Sequence, residues 1–131
     1  MAASSIPSDY KYTREHEWLK EVRPSVFRVG ITEYAQAELG DVVFVDLPEV
    51  GRSVKKGESF SSVESVKAVS DVYAPLDGKI VEVNAALADK PQLLNESPFS
   101  EGWMVVIETS ASTAELLDAK TYENYLSEIS K

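Results

Sequence analysis

Apolar and polar residues alternate over Val26 to Ile31. Phe27, Val29 and Ile31 fall on one face, Arg28 and Gly30 on the other, the pattern of a strand covered on one side. Glu17 to Val22 precedes it as a second strand across a turn at Arg23-Pro24-Ser25. Thr32 then stands where a helix N-cap belongs, Glu33 to Leu39 forms about two helical turns, and Gly40 stops them. Asp41 to Leu47 is β-branched and apolar on both parities, which predicts a strand buried on both faces.

Punctuation continues at short intervals. Pro48 to Gly51 and Gly57 mark turns, Phe60 to Val66 and Val69 to Ala74 read as paired short strands, Pro75 to Gly78 turns again, and Lys79 to Val83 is a strand. Residues 84–101 mix Asn, Ala, Asp, Pro and Ser and predict short helical turns and loop, while Trp103 to Glu108 is a late strand. Residues 112–131 carry Leu116, Leu117, Tyr122, Tyr125, Leu126 and Ile129 at mostly helical spacing. One echo recurs: an Asp-Val pair leading to Pro-Xaa-Xaa-Gly and a Val-bearing strand, at 41–54 and at 71–81, as expected of two sheets with related halves. Seven or so short strands with frequent turns predict a mainly β sandwich or barrel of two antiparallel sheets, with a short helix at 33–39 and a C-terminal helix packed outside. Residues 1–9 lack periodicity and are expected to be a flexible lead-in to a single domain spanning 10–131.

Composition narrows the chemistry. The chain has 131 residues, 13 Lys plus Arg and 22 Asp plus Glu, for a net charge of −9. That size holds one core, and that charge argues against a nucleic-acid or anionic-membrane partner. With no cysteine and one histidine, His16, disulfides, thiolate metal sites, cysteine nucleophiles and His-rich zinc sites are excluded. The longest strictly apolar run, Trp103 to Ile107, is far short of a membrane span. The first residues show neither a basic nor an apolar targeting region, so the expected compartment is the bacterial cytoplasm, or the mitochondrial matrix for a processed eukaryotic form.

Enzyme templates come back empty. No Gly-Xaa-Ser-Xaa-Gly elbow accompanies His16, which reads as a strand-entry residue with a satisfied ring. Lys55 and Lys56 lie in a glycine-bounded turn without the phosphate-loop pattern. The segment that stands apart is Val63-Glu64-Ser65-Val66-Lys67-Ala68-Val69-Ser70-Asp71. It places one lysine at or beside a tight hairpin turn, the most exposed part of a β-domain. No Asn-Gly or Gly-Gly is present to make the turn a purely structural one.

Glu64 to Ala68, Ser70 to Val72 and Ala74 to Gly78 resemble the lipoyl-attachment signature of the glycine cleavage system H protein family. Tyr12 to Trp18, Gly30 to Gln36, Leu39 to Pro48, Val81 to Asn84, Pro91 to Asn95 with Pro98, and Gly102 to Met104 are similar to that family in the same order. One departure is Ser61-Ser62, where the family often has glycine. The resemblance implies a barrel-sandwich hybrid fold and lipoic acid on Lys67 in amide linkage. It also implies a carrier rather than an enzyme. The expected monomer shuttles the aminomethyl group of glycine from the P protein to the T protein and is reoxidised by the L protein. A lipoate ligase or a lipoyl/octanoyl transferase would load it. Glu17, Asp71 and, third, Glu64 become candidates to contact the arm, because a carboxylate near a cationic aminomethyl group would hold it.

Other readings remain at this point. A 2-oxoacid dehydrogenase lipoyl domain usually has Asp-Lys-Ala at its turn, where Val66 stands in place of Asp, and at roughly 80 residues within a longer chain it disagrees in length as well. A biotinyl carrier typically has Met-Lys-Met, with which Val66 and Ala68 disagree. An unmodified β-sandwich interaction domain, or a donor of lipoyl groups to other proteins, is also compatible with the residues.

Overall fold

The computed structural model describes residues 6–129. The strands are β1 (Lys11–Tyr12), β2 (Glu17–Arg23), β3 (Val26–Ile31), β4 (Val42–Asp46), β5 (Ser53–Val54), β6 (Ser59–Ser65), β7 (Val69–Tyr73), β8 (Gly78–Val83) and β9 (Val105–Glu108). The helices are α1 (Glu33–Leu39), α2 (Ala86–Asp89), α3 (Leu93–Glu96) and α4 (Ala119–Ile129). Pairing is antiparallel throughout and gives two sheets, ordered β1-β2-β3-β9-β8-β5 and β4-β6-β7. The mainly β, two-sheet architecture expected from the residue pattern is what the chain adopts.

Leu19, Val29, Val63, Ile80, Leu87, Leu94, Met104 and Val105 fill the space between the sheets. The echo of Pro-Xaa-Xaa-Gly turns has a structural counterpart. One turn carries the chain from β4 to β5 and the other from β7 to β8, so both outer strands of the small sheet cross into the large one. There β5 and β8 pair, Ser53 opposite Lys79.

A second, aromatic cluster lies apart from this core. Tyr12, Trp18 and Tyr122 are fully buried there, with Tyr10, Phe99, Trp103, Leu117 and Leu126 around them. Tyr12 and Tyr122 stack with centroids 4.7 Å apart, and the Trp18 Nε1–H donates to the Pro98 carbonyl at 2.8 Å. Trp18 fits only because Gly30 lies opposite it on β3; a Cβ there would stand 2.7 Å from the indole ring. Gly30→Ala is therefore expected to cost about 1–3 kcal/mol by overpacking, read as a lowered urea midpoint at unchanged slope.

Three expectations are corrected by the structure. Of the lead-in, residues 1–5 lie outside the described residues, but Ile6 packs on the aromatic cluster and the Pro7 carbonyl accepts from the Tyr12 hydroxyl at 2.6 Å. The C-terminal helix begins at Ala119, not at 112. Leu117 is held in a backbone bridge with Tyr12, and the Asp118 carboxylate then accepts from the Thr121 N–H at 2.8 Å, a cap that starts the helix there. Residues 130–131 of that expected helix lie outside the described residues.

The third correction concerns β4, expected to be buried on both faces. Val42 and Val45 are buried, whereas Val43 and Phe44 are 49% and 54% exposed. A register shift between Val42 and Phe44 turns residues three apart to the same side. The small sheet covers the core with one face only, so its apolar outer residues stay exposed.

Candidate functional site

Lys67 sits on the loop joining β6 to β7. The loop is closed by Ser65: its N–H donates to the Ala68 carbonyl at 2.8 Å, and its hydroxyl accepts from the N–H groups of Lys67 and Ala68 at 3.3 and 3.1 Å. No residue of the loop takes a positive φ, which is why no glycine is required. Ser65 is buried at the strand end, and its role in closing the turn is separate from its place in the signature. Its signal was a hydroxyl residue placed to satisfy turn amides two and three positions on.

The loop is also braced from below. The Val66 N–H donates to the Asp41 carbonyl at 3.0 Å. Asp41 in turn lies in a segment pinned by Asn95, whose amide donates to the Gly40 carbonyl at 2.9 Å and accepts from the Val42 N–H at 2.9 Å. Gly40 caps α1 at φ 78°, and a Cβ there would stand 3.4 Å from the Lys67 Cε. The lysine's aliphatic stem thus lies over a backbone cradle without a side chain, with exposed Val66 and Val69 on either side. Lys67 is itself exposed, and neither ion pair found among the described residues involves it. A displayed primary amine on a braced ribbon suits amide attachment of an acyl group.

A cleft of about 350 Å³ opens beside Ala68 and Val69. Its apolar floor comes from Ile31, Leu39, Val63 and Val72, and its polar wall from Glu15, His16, Glu17, Glu38 and Asp71. Four carboxyl groups without a lysine or arginine in the lining favour a cationic occupant.

The structure brings Glu17 and Asp71 together on this cleft. Asp71 is exposed. Glu17 is 2% exposed; its two carboxyl oxygens accept from the Thr13 hydroxyl at 2.8 Å and from the Tyr73 N–H at 3.2 Å. Burial pushes its pKa up to about 7 against the lowering effect of those two donors. Glu64 is not brought there. It is exposed on the outer face of the small sheet, paired with Phe44 and Val69, while its neighbour Val63 faces the cleft.

His16 directly precedes β2 with φ 68°, and its Nδ1 lies 2.9 Å from the Tyr122 hydroxyl.

Fold and site together define a carrier-type β-sandwich, one whose distinctive chemistry is an amine displayed at a hairpin tip. Comparison with known proteins makes the class specific. The family model for the glycine cleavage H-protein matches residues 10–129. The glycine cleavage system H protein of Anaeromyxobacter sp. (strain K) is 53% identical over 125 residues, covering 94% of this chain and 97% of its own. That of Halalkalibacterium halodurans is 52% identical over 127 residues, covering 95% and 98%. A crystal structure of a glycine cleavage system H protein from Mycobacterium marinum matches with a TM-score of 0.85 at 44% identity, covering 93% of this chain and 99% of that one. The chain belongs to the glycine cleavage H-protein family, the lipoyl carriers of the glycine cleavage system.

Proposed function

We propose that Lys67 carries lipoic acid through an amide bond, and that this chain is a carrier subunit with no catalysis of its own. It moves the aminomethyl group of glycine from the P protein to the T protein and is reoxidised by the L protein. A lipoate ligase or a lipoyl/octanoyl transferase attaches the group, and the cytoplasm is the working compartment, or the mitochondrial matrix in a processed eukaryotic form. The observation that carries this reading is the braced, exposed position of Lys67 over the bare Gly40 backbone. Among the described residues no helix is long and apolar enough to cross a membrane.

When bound, the dithiolane supplies the electron acceptor and the sulfur that takes the aminomethyl carbon. This chain's residues supply attachment, placement and shelter. Attachment removes one positive charge from a net of −9, so the loaded chain favours partners with basic patches. Glu17 and Asp71 offer carboxylates to a cationic amine in the cleft, and the apolar floor keeps water from it.

Two measurements test this. Co-expression with a lipoate ligase is expected to add a single lipoyl increment to the intact mass; a biotin-sized increment, or none, would overturn the reading. The double variant Glu17→Gln, Asp71→Asn is expected to lose ammonia from its isolated, loaded arm several-fold faster than the parent. Equal rates would remove the cleft from the mechanism and leave the attachment site standing.

A further inference from the structure

Tyr122 projects from α4 into a polar contact that the carrier cycle does not use. Its hydroxyl lies 2.7 Å from the Thr32 Oγ1 and 2.9 Å from the His16 Nδ1. His16 is held to the same structure by its backbone. Its N–H donates to the Thr13 carbonyl at 3.1 Å, and its carbonyl accepts from the Thr32 N–H at 3.0 Å. Its ring lies 4.5 Å from that of Tyr34 and also faces Tyr125. His16 lines the cleft that opens at Ala68 and Val69, the residues that follow Lys67.

Counting protons orders this chain of contacts. The Thr32 Oγ1 is the N-cap oxygen of α1 and accepts from the Ala35 N–H at 3.3 Å. Thr32 is 1% exposed, and the acceptor within reach of its hydroxyl proton is the Tyr122 oxygen. A buried hydroxyl donor left unpaired is costly, so Thr32 donates to Tyr122. The single Tyr122 proton then goes to the His16 Nδ1, which must present its lone pair. The opposite order, from His16 through Tyr122 to Thr32, would strand the Thr32 proton inside the protein.

We propose that Tyr122 is a positioning residue which, ordered by Thr32, holds His16 as the neutral Nε2–H tautomer and so gives the cleft beside Lys67 an uncharged hydrogen-bond donor. Burial lowers the His16 pKa, against the opposing pull of Glu15 and Glu38, which agrees with a neutral ring at neutral pH. Arg14, the nearby cation, is turned onto the Tyr125 ring at 5.6 Å. The carboxylates of the cleft serve a cationic amine. The donor serves the opposite need, a sulfur acceptor of the reduced arm. That last step rests on the arm occupying the cleft, as proposed above; the tautomer does not.

The test uses the one histidine of the chain, whose ring nitrogens give an unambiguous signal in long-range ¹⁵N–¹H spectra of the apo protein. A pyridine-type Nδ1 and a pyrrole-type Nε2 are expected at pH 7.5. Tyr122→Phe is expected to convert this to a mixture of tautomers, and Thr32→Ser to preserve it. A protonated Nδ1 in the parent, or a tautomer indifferent to Tyr122→Phe in a folded variant, would overturn the proposal. The parent spectrum decides the assignment even if the phenylalanine variant does not fold. In the lipoylated protein, reduction of the arm is expected to shift the Nε2–H resonance. An unmoved resonance with the expected tautomer would overturn arm contact in the cleft and leave the relay intact.

Discussion

Lys67→Arg is expected to abolish lipoylation completely, with no increment in intact mass and no aminomethyl transfer, while the urea midpoint stays unchanged. Amide formation needs a primary amine that can lose its proton and attack an activated carboxyl carbon; that carbon bonds to Nζ as the activating group leaves. A guanidinium stays charged at any working pH and spreads its electron pairs over the whole planar group. The substitution keeps the charge, and Lys67 is exposed and outside the ion pairs found among the described residues. The stability change should therefore fall within about 0.5 kcal/mol. The loop itself is closed by Ser65 and by the Asp41 carbonyl, not by the lysine side chain, so it remains in place to display the wrong group. A retained increment on this folded variant would move the attachment to another lysine and remove Lys67 from the carrier reading.

What the sequence made legible follows how locally each feature is encoded. The bounds of α1 could be read because Thr32 and Gly40 cap it within its own segment. The hairpin under Lys67 could be read because two short strand-like segments, Phe60 to Val66 and Val69 to Ala74, leave only Lys67 and Ala68 between them. The two-residue strands β1 and β5 could not. Each exists only through its partner, Tyr12 opposite Trp18 and Ser53 opposite Lys79, and so short a run carries no periodicity. The exposure of Phe44 is not legible from its apolar character, because the second face of the small sheet has no layer above it. Glu17 resembled any strand-entry acid. Its burial depends on the Tyr73 amide, 56 residues away, and the relay through Tyr122 joins residues 106 positions apart. Such pairings arise only when the sheets close.

That burial makes Glu17 the source of a pH-dependent stability term. Its carboxyl is protonated in the native state up to about pH 7, whereas an ordinary glutamate gives up its proton near 4.5. Between those values the folded protein binds more protons than the unfolded chain, so stability falls as pH rises. The contribution is full below about 4.5, lost progressively toward 7 and level above it. The gap corresponds to about 3 kcal/mol. Glu17→Gln keeps the shape and removes the titration. The Tyr73 N–H can still donate to the amide oxygen, while the amide nitrogen turns to the Thr13 hydroxyl. That hydroxyl already accepts from two backbone N–H groups, those of Glu15 and Glu17, so a fixed cost follows at every pH. Because the cost does not vary, it cancels from the slope. The other titrating groups, Glu15 among them, are common to both proteins. Urea unfolding at pH 4.5 and pH 8 should therefore show the variant gaining about 3 kcal/mol relative to the parent between the two. Parallel profiles would show that the carboxyl ionises as in water. In the proposed carrier the same ionisation has a second role, since a cation entering the cleft favours the charged carboxylate. A group that costs stability when the cleft is empty then becomes the counter-ion when it is filled.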